Sequence, residues 1–223
     1  TELESKRVLE AHGLRAADTH LASSAEAAAD AAEAITGPVA MKVHSRTITH
    51  KHAAGGVMLD VRGRAAVMAG FDRIREAVTR AAGEAAFEGV TVQPMWPRGG
   101  YELLVGSTVD AQFGPVLAFG TGGRLTEALG DTGLALPPLN TTLARRQMEQ
   151  TRIYRALRDD PAIDTTALET WLVRFSELIV TRPAIASLEI NPLAVGEAGL
   201  VALDARLTLH GPEVPEAALP RPA

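Results

Sequence analysis

The chain has 223 residues, of which 46% are hydrophobic, 4% are aromatic and none is cysteine, and its formal net charge is −5. Such an acidic chain lacks the basic face that non-specific nucleic-acid binding requires. The absence of cysteine excludes disulfides, thiolate zinc sites and a cysteine nucleophile. No apolar run is long enough to span a membrane and no signal-peptide pattern opens the chain. We therefore expect a cytoplasmic protein without membrane or nucleic-acid partners.

The first part of the chain alternates helix and strand signals without a strict repeat. The patterns predict a helix over residues 2–11, a strand over 18–22, a helix from Ser23 or Ser24 to about residue 35, strands over 39–43 and 57–61, a helix over 64–82 and a strand over 89–95. The Trp-Pro-Arg-Gly-Gly run at residues 96–100 then interrupts the pattern and predicts a boundary between two lobes.

The second part of the chain has longer strands and helices. The patterns predict strands over residues 101–107 and 116–119, helices over 141–157 and 165–180, strands over 186–190, 193–195 and 200–209, and a hairpin turn over 196–199. Residues 211–223 are rich in proline and are predicted to form a tail or a linker. The elements together predict an α+β (mixed α/β) fold with an N-terminal lobe over 1–95 and a C-terminal lobe over 96–210.

A cationic loop between two predicted strands is the most informative segment of this acidic chain. It covers residues 44–56 and contains His44, Arg46, His50, Lys51, His52 and the pair Gly55-Gly56. Cationic side chains and glycine N–H groups suit a phosphate, although a tight turn between strands would also place two glycines here. Lys42 ends the preceding strand, and it is either a cation for that phosphate or a solvated lysine.

His50 is the candidate nucleophile of this loop. A neutral imidazole nitrogen attacks a phosphoryl group readily, and the resulting N–P bond stays labile enough to pass the phosphate on. The alternative is an ordinary histidine on a surface loop. A zinc site formed by His44, His50 and His52 is a further alternative, but no acidic cluster adjoins these residues.

Oxygen donors stand within or beside several otherwise apolar segments, namely Glu102, Glu127, Glu189, Asn191 and Asp204. If the segments around residues 189–193 and 202–206 pair as an antiparallel hairpin, Asn191 and Asp204 lie side by side. Two such ligands, together with phosphate oxygens and water, are the usual environment of Mg²⁺. The alternative is a hairpin whose polar side chains face water.

Seven motifs occur in one order along residues 41–206: Met41-Lys42; Thr49-His50-Lys51 with Gly55-Gly56-Val57; Glu102-Leu103-Leu104-Val105-Gly106; Gln112-Phe113-Gly114-Pro115-Val116; Phe119-Gly120-Thr121-Gly122-Gly123; Glu189-Ile190-Asn191-Pro192-Leu193; and Leu203-Asp204-Ala205-Arg206. In this order they resemble the ATP-grasp (beta) domain of the ADP-forming acyl-CoA synthetases, which include acetate–CoA ligase and succinyl-CoA synthetase. The resemblance implies an ATP-grasp fold of two lobes with a nucleotide cleft between them.

The resemblance also implies residue roles. The residues that would contact ATP or ADP are Lys42, Gly55, Gly56, Val57, Gln93, Met95 and Glu102. Asn191 and Asp204 would hold Mg²⁺. His50 would pass phosphate between the nucleotide and a phosphohistidine on a partner domain.

The activity implied by the resemblance is the reversible conversion of an acid, CoA and ATP to acyl-CoA, ADP and phosphate. Because this chain contains no CoA-binding segment, we expect it to work with the CoA-binding and ligase domains or subunit of the same synthetase, as part of an oligomer. A carboxylate–amine ligase on the same fold is a weaker alternative, and it would not need His50.

The chain departs from the family pattern at Arg46, His52, Ala53 and Pro94. Ala53 stands where the family has a carboxylate beside the loop. Pro94 stands where the family has a carboxylate after Gln93, which would contact the ribose or base. The stretch 136–145 also resembles fusions of this module to a protein-lysine acetyltransferase. A regulatory, non-catalytic module is therefore the alternative function.

Overall fold

The computed structural model describes residues 1–48, 50–97, 99–123 and 126–211. The tail predicted over 211–223 lies outside the described residues except for Gly211, as does the side chain of Glu127. The described chain forms two compact units. The first comprises Ala17–Pro97 together with Thr1, and the second comprises Glu2–Ala16 and the described residues after Pro97.

The elements follow one another as α1 (Glu2–Ala11), β1 (His20–Ala22), α2 (Ala25–Glu33), β2 (Val39–Val43), β3 (Val57–Val61), α3 (Arg64–Ala82), β4 (Val90–Pro94), β5 (Tyr101–Asp110), β6 (Gly114–Thr121), α4 (Thr126–Leu129), β7 (Thr132–Ala135), α5 (Thr141–Glu149), α6 (Ile153–Asp159), α7 (Thr165–Thr181), β8 (Ile185–Gly196), β9 (Gly199–Ala202) and β10 (Ala205–Leu209). A short 3₁₀ turn, Glu84–Ala86, precedes β4. The mixture of helix and sheet confirms the predicted fold class.

The first unit is a four-stranded antiparallel sheet with helices α2 and α3 packed on it. The strand order is β1–β4–β2–β3. Alternate residues of β2, such as Met41, point into the core with Phe71 and Ile74 of α3, because successive side chains of a strand face opposite sides. Ser24, one of the two predicted N-caps, accepts a hydrogen bond from Ala27 N–H at 3.1 Å and begins α2.

The second unit is built on a six-stranded antiparallel sheet. Its order is β10–β8–β5–β6–β7, with β9 paired to β8. Helices α5, α6 and α7 contribute Met148, Leu157 and Phe175 to a core that also contains Leu103 and Leu193 of the sheet. This apolar core holds in place the start of β5 and the middle of β8, where Glu102 and Asn191 lie.

The N-terminal helix α1 belongs to the second unit and not to the first, where its position in the sequence had placed it. Leu9 and Leu14 are fully buried in the second core, and Ser5 Oγ accepts a hydrogen bond from Leu207 N–H of β10 at 3.0 Å. Ala16 then forms a bridge with Ala202. The helix over residues 2–11 was correctly predicted, but the β10 residue to which it bonds lies about two hundred positions away and has no local signal.

The helix predicted over 141–157 is two helices in the structure. Helix α5 ends at Glu149 and α6 begins at Ile153. The buried carboxylate of Asp131 accepts hydrogen bonds from Arg152 N–H at 2.7 Å and from Ile153 N–H at 2.9 Å. Asp131 thereby satisfies donors at the start of α6, and the helix restarts there.

The strand predictions near the C-terminus also differ from the structure. The two strands predicted over 186–195 are one continuous strand, β8, with a bulge, and the strand predicted over 200–209 is divided into β9 and β10. Strand β7 was not predicted, because its four residues carry a weak alternation and pair only with β6. Over the described residues, no helix is long and apolar enough to cross a membrane.

Candidate nucleotide and metal site

Lys42 and Gln93 lie on the same face of the first sheet. Strand β2 pairs with β4 so that Lys42 stands opposite Thr91 and Ala40 opposite Gln93. This is the face opposite the helices, because Met41 between them enters the core. Lys42 is 7% exposed and Gln93 is 3% exposed. Lysine and glutamine side chains are mostly exposed in folded proteins, so the burial of both on one face of this sheet is unusual.

Val57 extends this polar face into the neighbouring strand. It pairs directly with Lys42 across β2 and β3, so the two side chains share one side of the sheet. The structure therefore brings together three of the predicted nucleotide contacts, Lys42, Val57 and Gln93.

The beginning of the cationic loop is anchored by Glu88. One oxygen of Glu88 accepts a hydrogen bond from Arg46 N–H at 2.8 Å, and the other lies 3.5 Å from Arg46 Nε. Ser45 Oγ accepts from the N–H groups of Thr47 and Ile48. Arg46, a departure from the family pattern, thus has a specific partner 42 positions away. The sequence offered no local signal for Glu88.

The end of the loop is a tight turn. Gly56 N–H donates to Lys51 O at 2.8 Å and Gly55 N–H donates to His52 O at 3.1 Å. A Cβ at Gly56 would lie 2.5 Å from Val43 Cγ1, so any larger residue would force Val43 to shift. Both N–H groups are used within the turn, which favours the structural interpretation of the glycine pair in this conformation.

His50 and His52 are both exposed, and His44 is partly buried at the start of the loop. Among the described residues, no group of three or more His, Cys, Asp or Glu side chains is arranged to hold a metal ion. The zinc alternative therefore has no structural support in the described part of the chain.

Pro94 closes strand β4 opposite Val39, and Met95 N–H donates to Pro38 O at 3.0 Å. Met95 is partly buried. Proline at this point supplies neither a carboxylate nor an N–H group. The backbone hydrogen bond at Met95 therefore joins the end of β4 to the residue just before β2.

Asn191 and Asp204 are adjacent in the second unit, as the hairpin pattern predicted. Asn191 N–H donates to Asp204 O at 3.2 Å. The adjacent pair Ala205 and Ile190 opens the ladder between β10 and β8. Asn191 and Pro192 together oppose the single residue Leu104 of β5, so β8 bulges here. The two oxygen donors therefore stand where the sheet is interrupted and side chains can be redirected.

Glu102 lies against the glycine loop of residues 120–123. Gly122 N–H donates to Glu102 O at 2.8 Å. A Cβ built on Gly123 would collide with the Glu102 carboxylate, and Gly123 has a φ of +68°. The close approach of this second glycine loop to Glu102 gives the loop a defined place in the site.

The side-chain amide of Asn191 is bonded at both ends. Its Oδ1 accepts a hydrogen bond from Gly123 N–H at 2.7 Å, and its Nδ2 donates to Thr126 Oγ1 at 3.4 Å. Gly123 thus lies against both Glu102 and Asn191, and Asn191 is bonded to Asp204 through the backbone. Thr126 was missed by the sequence analysis, which predicted no helix at residues 126–129.

The motif order and the architecture both agree with one family. A family model of the ATP-grasp domain matches residues 1–209. The chain belongs to the ATP-grasp domain family, and within it to the type found in ADP-forming acyl-CoA ligases.

Two curated relatives show how this type of domain is used. The chain is 37% identical over 214 residues to acetate–CoA ligase [ADP-forming] I of Archaeoglobus fulgidus, covering 95% of this chain but only 31% of that protein. It is 34% identical over 217 residues to the beta subunit of acetate–CoA ligase [ADP-forming] II of Pyrococcus furiosus, covering 94% of this chain and 91% of the subunit. The chain therefore spans less than a third of the Archaeoglobus protein and nearly all of the Pyrococcus subunit.

Solved structures of an acetyl-coenzyme A synthetase are also similar to this chain. Acetyl-coenzyme A synthetase 1 of Ca. Korarchaeum cryptofilum, in complex with coenzyme A and Ca-AMPCP, matches with a TM-score of 0.87 and 31% identity over 94% of this chain and 92% of that one. The same synthetase with Mg-AMPPCP, its phosphohistidine segment pointing towards the nucleotide binding site, matches with a TM-score of 0.79 and 27% identity over the same shares of the two chains.

The donor set near Gly123 fits a hard cation. Carboxylate and amide oxygens are the ligands that Mg²⁺ prefers, and Asn191 and Asp204 supply one of each kind. Asn191 Oδ1 accepts one hydrogen bond, from Gly123 N–H, and an amide oxygen has a second lone pair.

Proposed function

We propose that this chain is the nucleotide-binding component of an ADP-forming acyl-CoA ligase, with the overall reaction acid + CoA + ATP ⇌ acyl-CoA + ADP + phosphate. The observation that carries the proposal is the adjacency of Asn191 and Asp204 beside Glu102, in a chain that covers almost the whole beta subunit of such a ligase. The organisation of the relatives supports a partner that binds CoA and the acid, on the same polypeptide or on a separate subunit.

In this proposal Lys42, Gly55, Gly56, Val57, Gln93, Met95 and Glu102 contact the nucleotide. The ammonium group of Lys42 offsets phosphate charge, and burial strengthens that interaction because the surroundings are less polarisable than water. Asn191 and Asp204 hold Mg²⁺, which when bound neutralises charge on the phosphate oxygens. Neither set of residues makes or breaks a covalent bond.

His50 carries the covalent step of the proposal. Its neutral imidazole nitrogen forms a bond to the γ-phosphorus of ATP while the bond from that phosphorus to the bridging oxygen breaks, and ADP leaves. A nitrogen of a partner histidine then forms a bond to the phosphorus while the bond between His50 and phosphorus breaks, so the His50 imidazole is restored. Support comes from the exposure of His50 on a loop held at both ends and from the phosphohistidine segment of the Korarchaeum relative.

The test is phosphoryl labelling of the full-length protein with [γ-³²P]ATP and Mg²⁺. We expect acid-labile label on the peptide that contains residue 50, its loss in His50→Ala and its retention in His52→Ala. His52 is the matched control because it is an exposed histidine of the same loop. Undiminished label and undiminished CoA ligation in His50→Ala would show that the relay assignment is wrong.

A regulatory module is the second candidate, and Pro94 and Ala53 are the observations that favour it. Neither residue can supply the carboxylate expected there. Calorimetric titration with ATP and ADP separates the two functions, because a regulatory module that has lost nucleotide binding gives no heat. The cytoplasmic location and the oligomeric assembly expected from the sequence stay predictions.

A further inference from the structure

We propose that Thr126 is a positioning residue that holds the side-chain amide of Asn191 with its oxygen towards Gly123 and Glu102. The inference deepens the proposed function, on which its Mg²⁺ part rests. It assigns a role to a residue that acts through Asn191, one of the predicted Mg²⁺ ligands.

The hydroxyl of Thr126 can act on Asn191 only as an acceptor. Thr126 Oγ1 donates its hydrogen to Gly123 O at 2.7 Å. A hydroxyl has one hydrogen to donate, so its lone pairs are what remain for Asn191. The NH₂ group of Asn191 must therefore face Thr126, and the observed Nδ2 to Oγ1 distance is 3.4 Å.

Gly123 sets the other end of the amide. Its N–H is a donor and can pair only with Oδ1 of Asn191, at 2.7 Å. An inverted amide would oppose two donors at Gly123 and two acceptors at Thr126, because the hydroxyl hydrogen of Thr126 is already donated to Gly123 O. Thr126 and the glycine backbone thus exclude the inverted orientation from both ends.

The consequence concerns the oxygen atoms beside Gly123. The Glu102 carboxylate occupies the space next to the Gly123 Cα. With the amide held as observed, Asn191 presents its oxygen next to Gly123, where an inverted amide would present NH₂ and repel a cation. Thr126 thereby keeps the donor set suitable for Mg²⁺ before the metal binds.

The variants are Thr126→Val, which keeps the shape and removes the hydroxyl, and Thr126→Ser, which keeps the hydroxyl. Thr170→Val is the matched control, because Thr170 is an exposed residue of α7 whose Oγ1 donates to the backbone carbonyl of Thr166. All are made in the full-length protein. Hydrogen exchange of the peptide over residues 120–130 is measured without nucleotide, and Mn²⁺ affinity in the presence of ADP is measured by electron paramagnetic resonance.

Since a hydrogen bond of this kind changes an equilibrium by about two- to tenfold, we expect Thr126→Val to accelerate exchange at Gly123 and weaken Mn²⁺ binding by factors in that range. Thr126→Ser and Thr170→Val should resemble the wild type. Unchanged exchange overturns the positioning role. If Thr126→Val accelerates exchange but keeps the wild-type Mn²⁺ affinity, the link between Thr126 and the metal is wrong. That link is also wrong if the wild type binds no Mn²⁺. If the wild type carries no label on His50 but the Thr126 variants respond as expected, the phosphate relay alone is rejected.

Discussion

The Glu102 carboxylate occupies the space into which a Cβ on Gly123 would point. The two residues lie on neighbouring segments joined by the hydrogen bond from Gly122 N–H to Glu102 O. A glycine loop and an acidic strand residue are therefore one packed unit, and a change in either displaces the other.

Gly123→Ala tests this packing. The alanine would have an unfavourable positive φ, which costs about 1–2 kcal/mol, and would also displace Glu102. Gly130→Ala is the control, because Gly130 has a φ of +54° with open space around its Cα. We expect Gly123→Ala to lose more unfolding free energy than Gly130→Ala in denaturant titrations and to bind ADP more weakly. Equal losses and equal ADP affinity would contradict the packing argument.

Asp131→Asn tests the joint between α5 and α6. Burial by itself raises the pKa of the Asp131 carboxyl, but hydrogen bonds from Arg152 N–H, Ile153 N–H and the Thr121 hydroxyl outweigh it and lower the pKa overall. A lowered native pKa means that the carboxylate contributes stability above the ordinary aspartate pKa and that this contribution is lost as the pH falls. We expect the variant to lose about 1–3 kcal/mol of unfolding free energy at pH 7.

The pH dependence is the sharper measurement for Asp131. The difference in unfolding free energy between wild type and variant should shrink as the pH falls below about 4, where the unfolded carboxyl becomes protonated. Asp159→Asn is the control, because the exposed carboxylate of Asp159 pairs with its exposed neighbour Arg158. A difference that stays constant down to pH 2 would mean that the charge of Asp131 is unimportant.

Arg145→Ala tests the link between α5 and α7. The Glu169 side chain is 3% exposed and accepts two hydrogen bonds from Arg145, at 2.7 and 2.9 Å. Removal of the guanidinium leaves a buried carboxylate without this partner, so we expect a loss of about 1–3 kcal/mol in unfolding free energy. Arg146→Ala, at the next and exposed position, should change it by less than about 0.5 kcal/mol. Similar values for the two variants would refute the assignment.

Glu88→Gln tests the anchor of the cationic loop. Because the ion pair with Arg46 is largely exposed, we expect the unfolding free energy to change by less than about 1 kcal/mol. Hydrogen exchange over residues 44–48 should nevertheless rise by about two- to tenfold, since the bond to Arg46 N–H weakens. Glu84→Gln, an exposed neighbour, is the control. Unaltered exchange in Glu88→Gln would show that the loop is held elsewhere.

Local patterns predicted most elements of the first unit. Helix α3 begins and ends at the predicted residues, and the strands around Lys42 and Val57 have the predicted bounds. Each of these elements carries its own alternation or period and is closed by glycine or proline, so neighbouring residues contain the required information. The adjacency of Asn191 and Asp204 was predicted for the same reason, because a short hairpin turn joins β8 to β9.

Other features depend on residues far apart in the sequence. The place of α1 in the second unit depends on a core built from residues after 100, and the break between α5 and α6 depends on Asp131. The anchoring of Arg46 by Glu88 likewise joins distant segments. Such contacts form only after sheets and helices have packed, and no periodicity in the sequence records them.

The sequence by itself determined the family, the class of fold and the residue types available for phosphate and Mg²⁺, because motif order and strand patterns are local properties. Only the tertiary structure decided how those residues are held. It showed that the N–H groups of Gly55 and Gly56 bond within their turn, and that Asn191 is bonded at both ends of its amide. The physical reason is that the orientation of a polar group is set by its hydrogen-bond partners, and here Gly123 and Thr126 lie more than sixty positions from Asn191.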